Sequence, residues 1–421
     1  MKLKSIFINL LVLMLFTSAL SGCQLYQGIK FTYANATSKH KWLNNSTTTQ
    51  VPFRLVSELI IVPVSINGSE QLDFVFDTGA AATVILESNN TKSLALKADG
   101  KLDIAGAGDG FISIANIVPN IEVKLGDVKL LDQSIVHLPI SSVPFFKDSD
   151  SVFFDGVIGY DFLKRFTIKI DYDNRLITLS EQADFAKIET EHDISWQRLP
   201  ISIEGNMSYI SVNTQLSTEQ ITPLKLLVDT GYSGTFEIAQ VRHEKSLTPY
   251  YPIKAQGLSG NSTIHVSNTK SLSLGSYSKN NVPISYNMST NEEAEHNELL
   301  GNKFLKHFNI IFDYPNKQLF IKPNQSFDHP INLDKSGLTL MPHKLGAIVH
   351  DVAPKTGSAN IGLKTGDIIT SYNGNQITLE KFSALTSVLA SNFEEVKLCW
   401  LSNSTEICDY LVLASRLKTV Q

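Results

Sequence analysis

Cysteine is scarce. The 421 residues hold three, at positions 23, 399 and 408, so one intrachain disulfide is the most the chain can form and no disulfide framework holds its fold. Charge is also sparse: 18% of residues are charged and the net charge is −5. A nucleic-acid surface needs a basic excess, and there is none. Long apolar runs are absent apart from one, Ile6 to Leu20. The ten histidines include no His-Glu-x-x-His, which argues against a zinc protease. Gly231-Tyr232-Ser233-Gly234 and Gly257-Leu258-Ser259-Gly260 are each one residue short of Gly-x-Ser-x-Gly, so the strained elbow of a serine nucleophile is missing. Gly106-Ala107-Gly108-Asp109-Gly110 runs into Phe111-Ile112-Ser113-Ile114, an alternating strand pattern, whereas a dinucleotide loop must open a helix. No metal and no cofactor are expected.

The one apolar run is too short, and wrongly flanked by Lys2 and Lys4, for a stable transmembrane helix. It closes on Leu20-Ser21-Gly22-Cys23. That ending resembles a bacterial lipoprotein signal, spanning 1–22, with Cys23 as the lipidated first residue. The alternative is an ordinary cleaved signal beside a chance cysteine. Each buried methylene contributes roughly 0.8 kcal/mol, so several acyl chains would anchor the protein stably. Gln24, not Asp, follows the cysteine, which in such lipoproteins implies the outer membrane, with the chain facing the periplasm. Residues 23–50 are polar and read as a tether.

What is present is a repeat. Phe74-Val75-Phe76-Asp77-Thr78-Gly79-Ala80 and Leu226-Leu227-Val228-Asp229-Thr230-Gly231-Tyr232 both end an apolar strand in Asp-Thr-Gly, 152 residues apart. Downstream, Val157-Ile158-Gly159 and Leu299-Leu300-Gly301 recur, each followed by Phe-Leu-Lys, Phe, Ile and Asp-Tyr, at an offset of 142. A loop that differs by ten residues separates the two landmarks. Two copies mean duplication and not a solenoid. Leu59 to Ile66 is a strand ending at the hairpin signal Asn67-Gly68. In the second copy Tyr209 to Gln215 and Leu224 to Val228 play the two strands. Phe162–Phe166 and Phe304–Phe308 read as single helical turns. The charged segment 182–193 connects the copies, giving lobes at 51–183 and 184–326.

Asp-Thr-Gly suits a carboxylate that must be held still. Gly79 and Gly231 allow a loop too tight for a side chain. Thr78 and Thr230 can hydrogen-bond across to the opposite loop. Asp77 and Asp229 then meet. Like charges about 3 Å apart cannot both ionise, so the pair shares one proton. The ionised member takes a proton from water, while the protonated member polarises a carbonyl. One triplet alone could be a structural aspartate in a turn; two matched copies argue against it.

Residues 51–325 resemble retropepsin-like and pepsin-like aspartic proteases. The resemblance implies a mainly β fold of two lobes with a pseudo-twofold site, Asp77 and Asp229 as catalytic residues, peptide or unfolded protein substrates, and a monomer sufficient for catalysis. It also implies flaps, with candidates at Gly106, Gly108, Gly110, Gly257 and Gly260. Tyr232 departs from the family, where Ala or Ser is commoner. A protein that only binds peptides through the same fold remains the alternative.

Residues 327–417 resemble a PDZ α/β domain of the type attached to periplasmic proteases. Gly362-Leu363-Lys364-Thr365-Gly366-Asp367-Ile368-Ile369 and Asn373-Gly374 carry the match. It implies that peptide C-termini add as a strand at a carboxylate loop, Gly337-Leu338-Thr339-Leu340, with Phe382 and Leu385 lining a pocket. A purely structural domain is the plainer alternative. A hairpin turning at Asn403-Ser404 would place Cys399 opposite Cys408. An oxidising periplasm permits a disulfide there, and two separate thiols remain the alternative.

Overall fold

A computed structural model describes residues 26–417, apart from 105, 107–112, 144–145, 147–151, 219, 240–248, 258–259 and 289–297. It is built from four sheets, of nine, six, ten and six strands among the described residues. No described helix is long and apolar enough to cross a membrane.

The nine-stranded sheet belongs to the first copy and the ten-stranded sheet to the second. Between them lies a six-stranded sheet that takes three strands from each. Its order is Gln197–Pro200, Gln318–Pro323, Phe308–Asp313, Thr167–Asp171, Leu176–Ser180, Thr48–Pro52. The central pair is antiparallel, with Ile168 opposite Phe312 and Ile170 opposite Ile310. Adding the repeat offset of 142 turns Ile168 into Ile310 and Ile170 into Phe312, so the pairing maps onto itself. A local twofold axis therefore passes between these strands. All four side chains are fully buried, and one apolar core runs through both lobes and the shared sheet. Phe308–Asp313 is buried along its whole length and is largely apolar, whereas Thr167–Asp171 leaves Lys169 and Asp171 partly exposed.

Local signals act as expected at several points. Asn67 and Gly68 both take positive φ, 50° and 76°, and Ser69 N–H donates to Ile66 O at 2.9 Å, closing a tight turn. The single helical turns span Tyr160–Leu163 and Asn302–Leu305, starting two residues and ending three residues earlier than expected. The connection between lobes contains a short helix, Phe185–Thr190.

The tether needs correction. Residues 26–37 are helical, His40–Trp42 pairs with Val128–Leu130, and Thr48–Pro52 is the outer strand of the shared sheet. Polar composition misleads here because the polar groups are spent internally. The buried Asn35 amide donates to Ser134 O and accepts from Ser134 N–H, both at 2.9 Å. Trp42 Nε1 donates to Glu181 at 2.7 Å.

The C-terminal unit has its own core around Val349, Ile369, Leu398 and Trp400. Its strands run in the order Leu338–His343, Gly346–Val352, Ile368–Tyr372, Glu395–Ser402, Thr405–Val412. The helix Phe382–Leu389 buries Phe382, Leu385 and Leu389 against them. Asn403 and Ser404 form the turn of the last hairpin, both at positive φ. Cys399 pairs with Cys408 across it, and the two are disulfide-bonded.

Candidate active site

Each Asp-Thr-Gly leaves the end of a central strand. Leu72–Phe76 runs antiparallel to Leu59–Ile66 and parallel to Gly156–Ile158. Thr222–Asp229 runs parallel to Leu299–Gly301. The apolar-apolar-Gly segments then pin the loops. Asp77 N–H donates to Ile158 O at 3.0 Å, Tyr160 N–H to Ala80 O at 2.8 Å and Asn302 N–H to Tyr232 O at 2.8 Å. A Cβ on Gly159 would sit 2.5 Å from the Ala82 carbonyl, and one on Gly301 would sit 2.3 Å from Gly234 O. Backbone cannot yield at such distances, so glycine is required at both positions.

The two loops grip each other through their threonines, both fully buried. Thr78 N–H donates to Thr230 Oγ1 and Thr230 N–H donates to Thr78 Oγ1, each at 3.1 Å. Their hydroxyls donate onward, Thr78 to Val228 O and Thr230 to Phe76 O, each at 2.6 Å. Four hydrogen bonds thus close a symmetric junction with every donor used. A Cβ on Gly79 would lie 2.5 Å from Asp229 Cγ, and one on Gly231 would lie 2.3 Å from Asp77 Cγ. Each glycine is the seat of the opposite carboxyl group. The structure therefore brings Asp77, Thr78, Gly79, Asp229, Thr230 and Gly231 together.

The two carboxyl groups are not equivalent. Asp77 Oδ1 accepts from Gly79 N–H at 2.7 Å and Ala80 N–H at 3.0 Å. Asp229 Oδ1 accepts from Gly231 N–H at 2.8 Å, while Tyr232 N–H leans toward Asp229 O at 3.3 Å. Burial raises both pKa values, and the Asp77 charge lifts Asp229 well above the usual range. Both residues keep some accessible surface, so they are surrounded by protein yet open on one side. The pair titrates as a unit, with charge better held at Asp77 and the proton at Asp229.

A pH dependence follows. A carboxyl raised by folding adds stability that is present below its unfolded pKa and lost as pH rises through its folded pKa. The shared proton leaves in that same window. Hydrolysis and the dyad's share of stability are therefore expected to fall together as pH rises through the raised Asp229 value. Profiles of kcat/KM and of the urea midpoint against pH check this; activity that keeps rising across the window contradicts it.

Tyr232 is accommodated by a local exchange of volume. The first copy has Ala80 and Ala82 where the second has Tyr232 and Gly234. A Cβ on Gly234 would lie 2.3 Å from the Tyr232 hydroxyl. That hydroxyl reaches Glu237 at 3.3 Å, and Glu237 accepts from Asn287 Nδ2 at 3.2 Å. Burial raises the pKa of both Tyr232 and Glu237. Sequence reasoning missed Glu237 and also Glu58, whose carboxylate pairs with Lys306 at 2.6 Å and ties the lobes together. Neither stands in a motif, and the partners of Glu58 lie in the other copy.

Of the flap candidates, Gly108 and Gly110 lie outside the described residues, as does the tip 258–259. Gly106 is described. The hairpins that would carry the flaps exist: Lys101–Ile104 pairs with Ser113–Asn116, and Tyr251–Gly257 pairs with Gly260–Val266. Gly257 and Gly260 form the last pair of the second hairpin.

The proposed carboxylate loop differs from expectation. Leu338–His343 is a strand, and the amides before it are already engaged. Gly337 N–H donates to Asp334 Oδ2 at 2.8 Å, Ser336 Oγ donates to Asp334 Oδ1 at 2.6 Å, and Leu338 N–H donates to Ser336 Oγ at 3.0 Å. Thr339 and Leu340 pair with Asp351 and Val349. Phe382 and Leu385 are 1% and 0% exposed, packed in the unit's core rather than lining an open pocket. An internal carboxylate, near in sequence, already occupies these donors.

Residues 62–162 match the family model of aspartyl proteases. The matched span includes Asp77 and ends at Phe162; the second triplet lies beyond it. No curated protein matches. Among solved structures, an aspartic proteinase from Irpex lacteus is similar at 15% identity and a TM-score of 0.46, covering 67% of this chain and 99% of that one. The first lobe thus carries the aspartyl protease sequence match, which supports a protease.

Proposed function

We propose that this protein is an aspartic endopeptidase of the bacterial cell envelope, acting on peptides or unfolded proteins. The observation that supports it best is the reciprocal threonine junction, which seats each carboxyl on the glycine of the opposite loop. Ionised Asp77 takes a proton from water, and the water oxygen bonds to the scissile carbonyl carbon. Protonated Asp229 donates a hydrogen bond to the carbonyl oxygen as charge develops there. Collapse of the tetrahedral diol breaks the C–N bond, and a proton passes to the leaving amine. No covalent intermediate is needed. Hydrolysis of unfolded casein that vanishes in Asp229→Asn supports this reading; casein binding without hydrolysis would make the protein a peptide binder.

Lipid anchoring at Cys23 is the proposed location signal, resting on the Leu20-Ser21-Gly22-Cys23 pattern. Cys23→Ser is expected to move the protein from the membrane to the soluble fraction. Mass spectrometry should find acyl chains on Cys23 of the native protein; unmodified Cys23 in membrane-bound protein contradicts the anchor. The C-terminal unit is proposed as a peptide-binding module of the PDZ class. An incoming C-terminus would bind its loop only in exchange for Asp334.

A further inference from the structure

The C-terminal unit touches the second of the hairpins that carry the flap candidates and shares an apolar cluster with the first. On the second lobe, Leu333 and Leu417 pack on a cluster of Tyr251, Ile264 and Val266, which are residues of the hairpin Tyr251–Gly257/Gly260–Asn268. The Arg416 guanidinium lies 4.0 Å over the Tyr251 ring, and its Nη2 donates to Pro252 O at 3.2 Å. Lys254 pairs with Asp351 at 3.3 Å. The strand Tyr251–Gly257 is the edge of the ten-stranded sheet, Leu338–His343 is the edge of the C-terminal sheet, and the two edges come within 8 Å between Cα atoms.

On the first lobe, Met341 of that same edge strand packs on a cluster that includes Leu86, Ala115 and Val136. Leu102 and Ile104, from the first hairpin, join the same cluster. Leu379 packs with Val56, Ile61 and Val75, and Glu380 pairs with Arg54 at 3.3 Å. The edge strand thus lies beside the second hairpin and packs on a cluster to which the first contributes Ala115, and the two hairpins sit at matching distances after their aspartates: Ile104 follows Asp77 by 27 residues and Gly257 follows Asp229 by 28.

We propose that the C-terminal unit is a releasable clamp on the two hairpins that follow the catalytic triplets in the chain, holding them at a fixed separation and restraining entry of protein substrates. The contacts have the character of a latch. The apolar ones are few and separate, and the ion pairs are exposed on at least one side, a setting where such pairs are weak and screened by salt. An edge strand laid beside another edge strand also leaves each shielded from pairing with a third chain. Displacing the unit would free both hairpins at once, which links substrate entry to whatever next engages the C-terminal edge.

The gating half of this inference rests on the proposed protease reading; the clamping half does not. The test uses the full chain from residue 24, with Lys254→Glu, Asp351→Lys and the two changes combined. Hydrogen exchange of amides 251–257 and 260–268 is expected to quicken about tenfold in each single variant and to return toward the native rate in the charge-swapped pair. Casein cleavage should rise several-fold in the single variants and fall back in the pair. Unchanged exchange in both single variants overturns the clamp. Faster exchange with unchanged cleavage overturns the gating. A native protein that never cleaves casein counts against the protease reading, while the exchange result still decides the clamp.

Discussion

Asp77→Asn is expected to lower kcat/KM by about a thousandfold, a loss of roughly 4 kcal/mol of transition-state stabilisation. An amide oxygen cannot take the proton that Asp77 must remove from water. The fold should survive, because Gly79 and Ala80 N–H can still donate to the Asn oxygen as they do to Asp77 Oδ1 at 2.7 and 3.0 Å. Asp229→Asn should be as damaging for a different reason, since the acidic proton that polarises the carbonyl is then missing. Steady-state kinetics on an unfolded substrate, with circular dichroism to confirm folding, checks both. If either variant keeps most of its activity, the two carboxyl groups are not one acid–base unit.

The second large effect is expected at the junction that holds them. Thr230→Val keeps the side-chain shape and removes the hydroxyl. Phe76 O loses its 2.6 Å donor and Thr78 N–H its 3.1 Å acceptor. Phe76 and Thr78 are 0% exposed, so water does not replace either partner. Each buried group left unpaired costs about 1–3 kcal/mol, giving roughly 2–6 kcal/mol in urea unfolding. Thr78→Val should cost a similar amount by removing the other two bonds of the junction, and the double variant should depart from the sum because the two threonines are in contact. A loss below about 1 kcal/mol in both single variants would mean the junction does not hold the lobes together.

Some of this was legible in the chain. Asp-Thr-Gly, repeated with a matched downstream segment, located the dyad, its threonines and its glycines, because that chemistry is local and its spacing recurs. Asn67-Gly68 and Asn403-Ser404 announced their turns, since the turn conformation is a property of the residues in it. The starts of the single helical turns were misplaced by two residues and their ends by three, as expected where a helix is one turn long. Residues 26–50 were read as a tether, yet Asn35 and Trp42 find partners about a hundred residues away or more. No periodicity reports such pairings. Asp334 was overlooked in the same way: its carboxylate fills a loop that the family resemblance reserves for a ligand. Glu237 and Glu58 carry no signature at all, because their partners come from other strands or the other lobe.

The central claim is that Asp77 and Asp229 activate one water directly against a peptide carbonyl. A single turnover in H2(18O), with enzyme in excess over a defined peptide, tests it most directly by mass spectrometry of the new C-terminus. Direct attack predicts one 18O in each newly formed carboxyl group from the first turnover, and cleavage about a thousandfold slower in Asp77→Asn and Asp229→Asn. First-turnover product that carries only 16O would mean an enzyme carboxylate attacked instead of water. Cleavage near the native rate in either variant would contradict the paired mechanism outright.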